Sequence, residues 1–176
     1  FLNWSAAAGD ESSIAGGFTQ NTGGVNATVT YTDTGGGTGF TVESSDTQYV
    51  AGGEPFSTTS AGSLAGTGLG PTSTVGVSFA GVAGAGYQNE VMNVRFRIND
   101  IDAGGWQDII TIRAFDAAGN AVNFTITPAG NDTVSPDGTT ITAGATSDAT
   151  SSAAGSALVT IPGPVQRFEI VYSNGS

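Results

Sequence analysis

Three carboxylates crowd one short turn. Asp100, Asp102 and Asp108 stand around Gly104, Gly105 and Trp106 in the stretch RINDIDAGGWQDIITIRAF. Calcium takes roughly six to eight hard oxygen ligands, drawn from carboxylates, backbone carbonyls and water. Side chains alternate along an extended chain, so Asp100 and Asp102 fall on one side. The glycine pair lets carbonyls turn in beside them. This pattern predicts a calcium ion at Asp100, Asp102 and Asp108. The spacing matches neither an EF-hand nor the glycine-bearing calcium repeats, and the competing reading is a set of turn carboxylates facing solvent. Asp116, in DAAGN, reads as a hairpin residue. Trp106 offers a broad apolar face with a polar edge, suited to stacking on a sugar ring with Tyr49 or Tyr87 nearby. The alternative is that it plugs the edge of the core.

The missing residue types remove most other chemistry. The chain has no His, no Cys and no Lys. Ser-His-Asp and Cys-His catalysis, the usual zinc sites and disulfides are therefore excluded. So are Schiff bases and Lys–Asn crosslinks. Paired carboxylates could still hydrolyse glycosides, and Glu43, Glu54, Glu90 and the Asp100 group are the candidates. No motif organises them, so the expectation is a protein that is not an enzyme. Fifteen acids against four Arg give a net charge of −11. A surface that acidic repels nucleic-acid phosphates and anionic membranes. No apolar run is long enough to insert in a membrane. Arg95, Arg97 and Arg113 are expected to point outward from neighbouring strands as one cationic stripe. That stripe either pairs with acids across strands or docks an acidic patch of another subunit.

The elements that must position these residues read as strands. In VNATVTYT (25–32), Val25, Ala27, Val29 and Tyr31 share one face. Over 91–98, Met92, Val94, Phe96 and Ile98 share a face, with Asn93, Arg95 and Arg97 opposite. Further period-two runs cover 39–43, 47–50, 75–79, 109–115, 121–126, 156–161 and 167–172, with 139–142 a weaker candidate. Gly, Asn, Asp and Pro clusters separate them, which is the pattern of an antiparallel all-β domain. The Gly-rich stretches 35–39, 61–70 and 80–86, and the Ser/Thr-rich stretch 131–155, read as long loops. No helical stripe is visible beyond a short turn within 4–14. The prediction is an N-terminal extended segment (1–24) and a single antiparallel β-sandwich domain (25–176), jelly-roll-like, with decorated loops.

The run FRINDIDAGGWQDIITIRAFDAAGN, followed by NDTVSPDGTTITAGAT and ALVTIPGPVQRFEIVY, resembles a module of large secreted alphaproteobacterial surface proteins. The likeness is most specific over 91–172. Such chains often also carry calcium-binding nonapeptide repeats, adhesin modules or self-splicing domains. The resemblance implies a secreted, non-catalytic structural or adhesive β-sandwich at the bacterial cell surface. It also implies a further strand after Tyr172. A missing strand leaves an edge that another copy can fill, and no lysine protects the edges. Self-association into a fibre or surface assembly is therefore expected. Phe1, Leu2 and Trp4, ahead of the flexible SAAAGDESS run, would reach the neighbour, and Arg95, Arg97 and Arg113 would dock it. Glycans are the alternative partner, through Trp106.

Overall fold

The computed structural model describes residues 1–144 and 146–176. After a single 3-10 turn at Trp4–Ala6, the order is β1 (Phe18–Asn21), β2 (Val25–Asp33), β3 (Gly37–Glu43), β4 (Ala61–Gly66), β5 (Gly70–Gly81) and β6 (Val94–Ile98). Then come β7 (Gln107–Phe115), β8 (Thr125–Pro128), β9 (Thr133–Val134), β10 (Thr140–Thr142), β11 (Ala157–Ile161) and β12 (Arg167–Gly175). Every strand pairing is antiparallel. One sheet runs β1-β2-β5-β12-β7-β10-β9; a second runs β6-β11-β8; β3 and β4 form a hairpin of their own. The all-β antiparallel architecture is the one the alternation predicts. The jelly-roll arrangement of two four-stranded sheets does not emerge from this seven, three and two division.

Period-two alternation decides which side chains meet. On the large sheet Val29, Val75, Val77, Ile110, Ile112 and Phe168 are buried, and on the small sheet Ala157, Val159 and Ile161 are. The two layers join where Phe96 stacks on Phe168 at 4.9 Å. The other half of the large sheet is covered by the β3-β4 hairpin. Phe40 there stacks on Tyr31 and meets Trp4 edge-on at 5.8 Å. Burying rings of this size stabilises the fold by about 1.5–3 kcal/mol each.

Several expectations need correction. Residues 1–24 are not a separate extended segment. Ile14 is buried, Phe18 begins β1, and Trp4 packs edge-on to both Phe18 and Phe40. Residues 61–70 are not simply a loop, because β4 lies within them. A Cβ at Gly62 would stand 2.9 Å from the Phe40 ring and 3.0 Å from that of Trp4, so glycine makes room for the rings. Residues 47–50 form no strand, and the strand expected at 121–126 starts at Thr125. Met92 lies outside β6 and is exposed. The last strand borders no open edge, since β12 pairs with β5 on one side and β7 on the other. The outer strands of the two larger sheets are β1, β9, β6 and β8. All are short, which blunts an edge without lysine.

Candidate functional site

β7 carries the first functional residue into the interior. Its buried positions are Asp108, Ile110, Ile112 and Ala114, every second residue. The alternation that buries the two isoleucines thus also buries Asp108 at the strand's beginning. A carboxylate there needs partners. The Tyr172 hydroxyl donates to Asp108 Oδ1 (2.8 Å), and the Asp102 amide donates to Asp108 Oδ2 (3.1 Å). Burial pushes the Asp108 carboxyl up from its ordinary value, against the pull of these two bonds. The Tyr172 phenol is pushed up as well, by burial first and then by that carboxylate.

Asp102 is also buried, and its Oδ2 accepts from the Ser147 hydroxyl (3.1 Å). Asp100 adopts a left-handed backbone (φ 62°), a conformation Asp tolerates better than most residues. Its pKa rises to about 6, from lost hydration and then from the charges of Asp102, Asp108, Asp46 and Asp148. The three acids are thus neighbours in the structure. Among the described residues, however, no group of three His, Cys, Asp or Glu side chains stands ready to hold one ion.

Four residues that the sequence reading passed over join the same end of the sandwich. Asp132, just before β9, is 6% exposed. Its Oδ1 accepts from the Gly144 amide (3.0 Å), while its buried Oδ2 has no hydrogen-bond partner among the described residues. Burial raises its pKa, and the charges of Asp148, Asp108 and Asp102 add to the rise. Asp148 accepts from Thr146 Oγ1 (3.2 Å). Asn174 lies opposite Asp108 on β12, and its buried Oδ1 is unpaired too. Ser147 bonds Asp102, as described. The only local signal was an isolated acid in a polar loop, and the chain has several such acids.

Trp106 is 49% exposed and lies outside the residues packed on the core. It does not plug the core edge. Nor do the expected aromatic companions stand with it. Tyr87 lies against Gly24 and Gly81, at the opposite end of the strands. Tyr49 is taken by the Arg97 guanidinium, 5.0 Å from its ring centroid.

The arginines form no single stripe. Arg95 and Arg97 lie on β6 of the small sheet and Arg113 on β7 of the large one. The Arg97 side chain is 8% exposed and donates to both Glu54 oxygens, Nε to Oε2 at 2.5 Å and Nη2 to Oε1 at 2.9 Å. Its Nη1 donates to Ser156, whose hydroxyl donates to Asn99. Arg95 approaches Glu54 at 3.9 Å, and Arg113 and Arg167 both face Glu169. Arg97 thus ties the loop between β3 and β4 across the outer face of the small sheet. Asp116 is a turn residue: its carboxylate accepts from the Ala118 and Asn120 amides, and Gly119 takes φ 84°.

Comparison with protein-family models, curated proteins and solved structures gave no match. The functional reading therefore rests on the chain's own residues.

Proposed function

We propose that this chain is an extracellular, non-catalytic structural or adhesive β-sandwich that assembles end to end. The supporting observation is where its exposed large apolar side chains fall. Leu69 and Trp106 flank the Asn174 end of β12, while Tyr87 and Met92 lie at the end where β12 begins. Apolar groups at opposite ends of one body fit a head-to-tail contact, which propagates rather than closes. Of the three N-terminal residues expected to reach a neighbour, Phe1 is the free one, at 85% exposure. The non-catalytic part rests on the sequence, which lacks His, Cys and Lys.

Electron microscopy and light scattering across a concentration series test the assembly. Filaments or oligomers are expected, and Leu69→Ser with Trp106→Ser should weaken them. A monodisperse monomer at high concentration overturns it. Turnover of a glycoside, ester or peptide, lost on substitution of a carboxylate pair, overturns the non-catalytic part.

The exposed Trp106 ring supports a second reading, a glycan-binding module. A glycan array decides it, because a hit must weaken with Trp106→Ala.

A further inference from the structure

We propose that the acidic end of the sandwich holds one calcium ion, anchored on Asp132 and Asp148 rather than on the Asp100–Asp102–Asp108 trio. This site does not depend on the assembly reading. Three loops meet here: the one between β6 and β7, the stretch before β9, and the one between β10 and β11. Within that meeting point Asp132 is the anomaly. It is more than nine-tenths buried, its Oδ1 is held by the Gly144 amide, and its Oδ2 has no partner among the described residues. Buried carboxylate oxygens are seldom left bare, because the lost hydration is not repaid. Asp148 reaches the same place, because the Asn131 side-chain amide next to Asp132 donates to Thr146 Oγ1 (2.7 Å), which donates to Asp148 Oδ2 (3.2 Å). The bare oxygen therefore lies at an end of the sandwich that also carries Asp102, Asp108 and Asp148. A bound cation would satisfy such an oxygen.

The division of labour follows from the hydrogen bonds. Both Asp108 oxygens are occupied, by Tyr172 and by the Asp102 amide. Asp108 thus shapes the field instead of binding first. Asp102 is engaged by Ser147 through one oxygen. Asp148 has one oxygen engaged by Thr146 and the other free of side-chain bonds. Two carboxylates neutralise a divalent ion. The Asn131 side-chain oxygen beside Gly144, backbone carbonyls and water complete a shell of hard oxygens. Calcium accepts such an irregular shell, whereas magnesium demands a near-ideal octahedron. Few charged ligands place the dissociation constant on the order of 0.1–1 mM, the range of extracellular calcium modules.

The test is calorimetric titration with CaCl2 after chelator treatment, with thermal melts at constant ionic strength. We expect one site and a rise in Tm of about 5–10 °C at roughly 100 times the dissociation constant. Magnesium should give much less. Asp132→Asn keeps an oxygen for the Gly144 amide and should abolish both the heat and the rise. Asp148→Asn, on a less buried side chain, should weaken binding at least tenfold. Asp116→Asn removes the same charge at the opposite end of β7 and should change neither. A calcium response equal in wild type and Asp132→Asn would mean diffuse screening of a −11 surface and overturn the site. So would the absence of any response in the wild type. If Asp132→Asn fails to fold, an unweakened Asp148→Asn overturns it.

Discussion

Removing Glu54 should loosen the sandwich through the charge it leaves behind. The Glu54 and Arg97 side chains are 9% and 8% exposed, and two hydrogen bonds join them. Truncating one partner of a buried pair costs about 3–5 kcal/mol, because the other charge stays in the protein without compensation. Arg97 would keep the Ser156 hydroxyl and the Tyr49 face, so Glu54→Ala should fall at the lower bound, about 3 kcal/mol. Arg95, 3.9 Å away and far more exposed, adds little. For a chain of this length, each kcal/mol moves Tm by about 2–4 °C, which predicts a fall of about 6–12 °C. The partner change Arg97→Met in the Glu54→Ala background should recover about 2 kcal/mol, since an apolar pair replaces the stranded charge. Urea melts on the two single variants and the double measure the coupling. A single-variant loss below about 0.5 kcal/mol, within the range of ordinary surface changes, would refute the buried-pair reasoning. So would a double variant no more stable than Glu54→Ala. The Ala51 amide, which donates to Glu54 at 3.1 Å, should exchange faster in Glu54→Ala.

The same pair predicts an acid dependence. The Arg97 hydrogen bonds hold the Glu54 carboxyl below its ordinary 4.5 in the fold. Its contribution is therefore complete above the unfolded value and fades as pH falls through the lower folded one. The stability gap between wild type and Glu54→Gln should accordingly be constant from pH 7 to about 5 and shrink below about 4. Melts across that range check it, and a gap that widens on acidification contradicts the sign. Phe40→Ala, at a fully buried ring that touches Trp4 and Tyr31, should cost about 3–5 kcal/mol by urea melt.

What the sequence made legible divides along a physical line. β2, β7, β11 and β12 stood out because strict alternation with Val, Ile and Phe buries one face against a core. β4 was hidden because its task is the reverse. AGSLAG supplies backbone pairing and empty space, and the rings that fill the space arrive from β3 and from the N-terminus. β1, FTQN, carries only one large apolar residue and is recognisable only beside β2. The site divides the same way. Asp100, Asp102 and Asp108 could be grouped from sequence because a single turn brings them together. Arg97 and Glu54 are 43 residues apart. Asp132 and Asp148 enter from other loops, far along the chain from the 100–108 turn. The crossings of the chain between sheets explain the arginines as well. β6 and β7 follow one another in sequence but lie in different layers, so neighbouring basic residues were separated. Alternation along a strand reports which face is buried, but it carries no information about which strand lies alongside. Local chemistry was therefore readable, while the partner that completes it, such as the counter-charge for Arg97, depends on the layer crossing.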